Sequence, residues 1–389
     1  MVAWRGDPDG VDGEIKGFPR AASYVLIASS KQTHMKKNVL LLPALVTLIT
    51  PLLPVALRAA DNNKVWTDPK KAAEEDPDFR IQGEYVAKGT GAQVIALGNG
   101  HFHAVLYPGG LPGAGWDEKG KSLLDGKIDG GKAVFTAASG KKRYMAGGGT
   151  EFSATRKFPP EGHKDYTGSI SGGSFHLTAK SGEKMALKKV ERKSPTLGAD
   201  APEGAVVLFD GSNVDHWKNG KITDGLLGAT NAISTKLFRD CTIHVEFRTP
   251  YRPHSRSQGR GNSGVYYQGR WETQVLDSFG LEGLMNECGG IYSIAASKLN
   301  MCLPPLTWQT YDVEYTHAKF DKDGKRTAWP RMTVKLNGVT VHDDQEMGKT
   351  HTTAAPVGGP LKPELGGPIF LQNHGNPVFY RNIWVLPKE

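Results

Sequence analysis

Residues 259–278 read GRGNSGVYYQGRWETQVLDS, and the alternation within this stretch decides the fold. A polar, glycine-rich turn leads into an aromatic and β-branched run. The chain turns again at Gln268-Gly269-Arg270 and enters a second alternating run carrying Glu272, Gln274 and Asp277. Two strands joined by a tight connection fit this pattern. Side chains on a strand point to opposite faces in turn, so Glu272, Gln274 and Leu276 share one face, and Trp271, Thr273, Val275 and Asp277 the other. A carboxylate and an amide two residues apart on one sheet face make a polar site that a core would not tolerate unpaired.

The same signature recurs on both sides. VVLFDGS, CTIHVEFRT, GVYYQG, ETQVLDS, GGIYSI, QTYDVEYTHAKF, RMTVKLNGVTVHDD, GPIFLQNHG and VFYRNIWVL are short runs separated by turn residues, including the hairpin signal Asn337-Gly338. No long amphipathic pattern interrupts them, so residues 205–389 are expected to form an antiparallel β-sandwich or jelly roll. Upstream, FRIQGEYVA, AQVIALG, HFHAVLYPGG, KAVFTAAS, SFHLTAKSG and KMALKKVER predict a smaller β-rich domain over residues 79–193, with YPGGLPGAGWDEKG as an exposed loop. The Pro/Gly/Ala-rich stretch at 194–204 reads as the boundary between the two domains, and the polar residues 61–78 as a linker. The fold class is therefore all-β. His101 and His103 share a strand face, but without a third ligand nearby they read as part of a surface strand.

A chain of 389 residues suffices for two domains with separate cores, and its 48 glycines and 24 prolines suit an ordered, turn-rich protein. The formal charge is +8, which falls to +5 without residues 1–60 and contains no block of like charge. Nucleic acid is therefore not an expected partner. Met35-Lys36-Lys37-Asn38, the apolar run VLLLPALVTLITPLLPVAL and the small residues at Ala59-Ala60 have the order of a secretory signal at 35–60, leaving residues 1–34 as a mis-called extension. The mature protein is then expected outside the cytoplasm, periplasmic or secreted, and free of the membrane once the signal is cleaved. Export permits a disulfide: Cys288 and Cys302 are the expected pair, with Cys241 a buried free thiol. No CxxC, HxxxH or EF-hand spacing occurs, so no cofactor is expected and Ca²⁺ has no motif behind it.

The segments LFDGSNVDHWK, HVEFRT, GNSGVYYQGRWETQVLDS, CGGIYS, WQTYDVEY, VKLNGVTVHDD and GPIFLQNHGNPVFYRNIWVL, in that order across residues 205–387, closely resemble the 3-keto-disaccharide hydrolase domain family. The layout with a preceding small β domain resembles secreted, planctomycete-type members. The resemblance implies a concanavalin-like jelly-roll sandwich and cleavage of a di- or oligosaccharide whose sugar is oxidised at C3. Such chemistry needs a base for the C2 proton, donors for the enolate oxygen and an acid for the departing C1 oxygen. Glu272 is the first candidate for base or acid, with Gln274 beside it. Glu246, sharing a face of CTIHVEFRT with His244 and Arg248, is the candidate second carboxylate. His374, following LQN, is the candidate proton-transfer imidazole. Arg381 is expected to hold sugar or enolate oxygens, and Asn262, Gln372 and Tyr266 to line the cleft. Trp308 and Tyr311 offer stacking surfaces. Asp277 is expected to be structural. The competing reading is a non-catalytic, lectin-like carbohydrate-binding module.

Overall fold

Two Asp-Pro steps open the described part of the chain. Asp68 caps a helix at Pro69–Glu75, accepting from the backbone of Lys70 and Lys71, and Asp76 caps a second at Pro77–Ile81. These helices replace much of the linker expected at 61–78 and the start of the strand expected at Phe79. The computed structural model describes residues 63–364 and 366–388. The expected extension at 1–34 and signal at 35–60 lie outside the described residues.

Eight antiparallel strands follow: Gly83–Ala87, Thr90–Gly98, His101–Pro108, Ser122–Asp129, Lys132–Ala137, Tyr166–Ser171, Ser174–Ala179 and Lys184–Val190. Each pairs with the next, and the last returns to the first, with Glu84 opposite Val190, closing a barrel without an open edge. Tyr85, Phe102, Leu124, Phe135 and Phe175 fill its interior. The Ser122–Asp129 strand escaped the sequence reading because its neighbouring leucines serve two different cores. Leu124 points into the barrel and Leu123 outward to a second cluster, so the expected alternation is missing. His103 is buried, 3.3 Å from Asp125, which corrects the surface-strand expectation.

Residues 206–387 form two facing antiparallel sheets, as expected. The larger is ordered Ile222–Thr223, Leu226–Gly228, Phe379–Pro387, Cys241–Arg248, Gln309–Thr316, Arg331–Leu336 and Val339–Glu346, with Val206–Phe209 also pairing with Phe379–Pro387. The smaller is ordered Trp217–Lys218, Ala232–Ser234, Phe370–Leu371, Ser263–Tyr267 and Trp271–Val275. Between them Ile243, Val245 and Phe247 pack with Val265, Tyr267, Trp271 and Val275. The opening hairpin forms as read: Tyr266 faces Glu272 and Gly264 faces Gln274, across a turn with positive φ at Gln268 and Gly269. Beyond Trp271–Val275 the backbone of residues 289–292 continues the ladder, with Gln274 donating to Gly290 and Tyr292 to Glu272.

Barrel and sandwich share a third apolar cluster. Ile95, Leu97, Val105 and Leu123 on the outside of the barrel meet Leu276, Phe279 and Leu281, which follow the hairpin. Within this junction Arg260 grips Asp277 through Nε and Nη2 at 3.0 and 2.6 Å, and donates Nη1 to the Ala96 carbonyl of the barrel. Asp277 lies beyond the end of the strand and is thus structural, its carboxylate fixed at the junction by Arg260. Residues 194–199 are also packed down: Ser194 and Thr196 reach Thr310, and Thr196 donates to Asp312.

The expected disulfide is not made. Cys288 and Cys302 are buried free thiols, as is Cys241. The Cys288 sulfur sits 3.6 Å from the Tyr311 hydroxyl, and the Cys302 thiol donates to the carbonyls of Leu276 and Leu303 at 3.5 Å. Both sulfurs are thereby placed by packing and weak hydrogen bonds. Tyr311 itself is core rather than a sugar platform: its hydroxyl accepts from Gly289 and donates to the Gln274 carbonyl.

Arg260 and Asp277 are both almost inaccessible to water, so removing one strands the other's charge. Asp277→Ala should cost about 3–5 kcal/mol in urea unfolding, and the Arg260→Ala/Asp277→Ala double variant less than the sum of the single losses.

Candidate functional site

Because Trp271 and Val275 are drawn into the core, the hairpin must present Glu272, Gln274 and Tyr266 on the outer face of the smaller sheet. There the floor of a pocket of about 150 Å³ forms, lined by Gln258, Asn262, Glu272, Gln274, Tyr292, Thr353, Ala354, Gln372 and His374. The space for the Glu272 carboxyl is provided by Gly264, whose hypothetical Cβ would lie 2.2 Å from Glu272 Oε1. Its φ is not positive, so sterics alone call for glycine at this position.

Glu272 is 3% exposed, and desolvation pushes its pKa up to about 8, a hydrogen bond with Tyr266 pulling only partly against this. The hydrogen-bond inventory agrees with a protonated carboxyl. The Tyr266 hydroxyl lies 2.7 Å from Glu272 Oε2 and 3.1 Å from the Thr353 carbonyl, and accepts from Gln372 Nε2 at 3.2 Å. A phenol has one proton, and a carbonyl can only accept. If Tyr266 donates to Thr353, a protonated Glu272 donating to Tyr266 satisfies every partner.

The opposite wall is a ring of amides. Gln258 Oε1 accepts from Asn262 Nδ2 at 2.8 Å and from Gln274 Nε2 at 3.1 Å, and Asn262 Oδ1 accepts from Gln274 at 3.1 Å. Near it, Gln372 Oε1 is buried without a partner among the described residues, an acceptor open to a ligand donor. His374 is exposed and lines the pocket beside Gln372. The pocket therefore joins a group able to give or take a proton near neutral pH to neutral hydrogen-bonding walls. No group of three or more His, Cys, Asp and Glu side chains among the described residues is placed to hold a metal ion.

Residues 204–386 match the model of the 3-keto-alpha-glucoside-1,2-lyase-like domain. The sandwich belongs to this family. The match places the lyase-like domain in the glycoside hydrolase and lyase class. Two solved structures from Parabacteroides distasonis ATCC 8503, each described as a "putative glycosyl hydrolase", are similar to the chain. One shares 32% identity over 48% of this chain and 85% of its own, with a TM-score of 0.43. The other shares 20% identity over 48% of this chain and 95% of its own, with a TM-score of 0.35. No curated protein matches.

The lyase-like domain brings Glu272, Gln274, Asn262, Gln372 and His374 to one pocket, with Tyr266 beneath it holding Glu272. It does not bring Glu246, Arg381 or Trp308 there. Glu246 lies on the outer face of the larger sheet, across the core, and Arg381 Nε binds it at 2.6 Å. A bulge near Asn382, whose φ is positive, sets Arg381 opposite Glu246. Burial raises the Glu246 pKa, but the neighbouring His244 ring at 3.6 Å and hydrogen bonds from Asn382, Arg381 and the Gly198 amide outweigh it and hold the carboxyl at about 2. Trp308 is stacked with the guanidiniums of Arg248 and Arg381, 4.8 and 4.2 Å from its ring centre. Glu246 also accepts from the Gly198 amide, and Asn382 and Trp384 donate to the Ala199 carbonyl, which fastens residues 198 and 199 to the sheet. Alternation alone could not say to which sheet each strand belongs.

Sequence reasoning missed Gln258, Tyr292, Thr353 and Ala354. Gln258 sits on a short 3₁₀ turn, Ser257–Gly259, and Thr353 and Ala354 on a turn-rich segment, neither of which carries periodicity. That segment is held over the pocket by hydrogen bonds of Arg270 to the carbonyls of Thr350, Gly359 and Pro360, and by the Thr352 and Val357 amides donating to the Arg270 and Gly269 carbonyls. A larger cavity of about 440 Å³ lies between the barrel and Pro304–Thr307, but its buried carboxylate, Glu84, is held by Arg192 at 2.6 and 2.7 Å.

The raised pKa of Glu272 has a consequence for stability. Below its ordinary value of 4.5, folded and unfolded chains both carry the proton. As pH rises toward about 8 the unfolded chain loses it first, so this group progressively disfavours folding, and the effect levels off above about 8. Glu272→Gln should remove this component, raising the melting temperature relative to wild type by roughly 5 °C at pH 9 and little at pH 4.5, as measured by thermal unfolding across that range.

Proposed function

We propose that the pocket cleaves a glycoside whose sugar carries a ketone at C3, with Glu272 as the base that removes the C2 proton. The single observation carrying this reading is a desolvated carboxyl with a pKa near 8, placed in a pocket otherwise lined by neutral hydrogen-bonding groups. The ketone draws the C2–H electron pair into an enolate. Return of that pair forms a C1–C2 double bond and breaks the C1–O bond, and the departing oxygen takes a proton, for which His374 is the candidate donor. Addition of water across the double bond then yields the free 3-keto sugar. The amides of Asn262, Gln258 and Gln274 offer donors and acceptors around the ring, and the open Gln372 Oε1 accepts from a sugar hydroxyl. A volume of about 150 Å³ suits one sugar unit rather than a chain, since pockets for larger ligands run from roughly 300 Å³ upward. The order of residues 35–60 supports export, which would place the reaction outside the cytoplasm.

The test incubates purified protein with a 3-keto-glucoside and with its unoxidised parent. Turnover confined to the keto-sugar is expected, rising with pH through about 8 as Glu272 ionises. In heavy water, deuterium should enter C2 of the product, which direct displacement at C1 would not cause; turnover of neither sugar would refute the proposal. Glu272→Gln should lower kcat about 10²–10⁴-fold while leaving sugar binding nearly intact. His374→Ala should slow sugars with poor leaving groups far more than those with nitrophenolate, as loss of an acid requires.

A further inference from the structure

The barrel contributes no side chain to the pocket, yet the pocket's amide wall hangs on it. Gln258 is the hub of that wall, accepting from Asn262 and Gln274 and donating its own Nε2 to the Asn286 carbonyl at 2.9 Å. It stands on the 3₁₀ turn Ser257–Gly259, where Ser257 has a positive φ and no side chain caps the turn. Three residues can give little local stability, so the turn must be held from outside.

Two arginines bracket it. On the N-terminal side, Arg256 donates Nε to the Gly147 carbonyl at 2.7 Å and Nη2 to the Leu97 carbonyl at 2.8 Å, both in the barrel domain. Its Nη1 reaches back to the carbonyls of Pro253 and Ser255 at 2.6 and 2.8 Å, so one planar group ties the loop to itself and to the barrel. The guanidinium also lies 5.8 Å from the Phe152 ring centre. On the C-terminal side, Arg260 joins Ala96 of the barrel to Asp277. The barrel turn itself comes so close that a Cβ on Gly98 would lie 2.3 Å from the His254 ring.

We propose that the barrel is part of the sugar-recognition apparatus, and that Arg256 is a positioning residue which sets Gln258 at the pocket wall through its bonds to Leu97 and Gly147. This rests on the reading of the pocket as a 3-keto-glycoside site. Without Arg256 the turn loses its ties to the barrel on the N-terminal side, Gln258 leaves the amide ring, and Gln274 loses one of its two side-chain acceptors beside Glu272.

A double-mutant cycle on the full protein separates positioning from general stability. Arg256→Ala and Gln258→Ala should each raise KM for a 3-keto-glucoside about tenfold, with kcat changed much less. The double variant should be no worse than Gln258→Ala alone, because Arg256 acts through Gln258. Additive effects, or an Arg256→Ala variant with unchanged KM, would overturn the inference. Arg256→Lys keeps the charge without the planar fork and should give an intermediate KM, which supplies the test should the alanine variant fail to fold. Hydrogen exchange reads the same coupling without activity. In either Arg256 variant the amides of residues 257–262 should exchange at least tenfold faster, while those of the Cys241–Arg248 strand stay protected. Unchanged exchange at 257–262 would overturn the proposal even in an active protein, whereas wild-type protein inert toward the keto-sugar would count against the pocket reading alone.

Discussion

The side-chain period of two along Trp271–Val275 is the constraint on which the site depends. Trp271 and Val275 are committed to the core between the sheets, so Glu272 and Gln274 have no freedom to join it. Their face is nevertheless closed over by Tyr292, Thr353 and Ala354, which leaves a carboxyl nearly without water. Packing on one side of the strand and enclosure on the other together produce a group that exchanges a proton near neutrality. A one-residue slip in register would bury Gln274 in the core and expose Trp271 at the pocket.

The two carboxylates singled out in the sequence show how context separates equal chemistry. Glu246 is at least as buried as Glu272, but it collects three hydrogen-bond donors, including a guanidinium, and is held ionised. Glu272 has the Tyr266 hydroxyl for company, and burial dominates. The first is a fastening point for residues 198 and 199; the second is left poised. Sequence cannot distinguish them, since both sit in alternating strands among polar neighbours.

Local features were the legible ones. Alternation revealed the hairpin, the core faces of Cys241–Arg248 and the all-β class, and turn residues punctuated most strands. What failed required knowledge of distant partners. The pairing of Glu246 with Arg381 depends on a bulge at Asn382, and Leu123 with Leu124 spoils a strand pattern only because two cores meet there. Cys288 and Cys302 have a spacing in the chain that allows a bridge, yet both stand as free thiols, weakly hydrogen-bonded to the Tyr311 hydroxyl and to backbone carbonyls. Gln258 and Thr353 were hidden because irregular backbone carries no period, although such segments often complete pockets.

The strand bearing Glu272 is the last in its sheet, a position at which an open ladder invites another chain to add on. Residues 289–292 occupy that ladder with hydrogen bonds to Glu272 and Gln274. They are linked to the neighbouring turn through the Glu287 carboxylate, which accepts from the backbone of Gly283 and Leu284. The edge strand that carries Glu272 is thereby sealed against intermolecular β-pairing. A crowded environment can present many unpaired strands to this protein without one of them templating on its site.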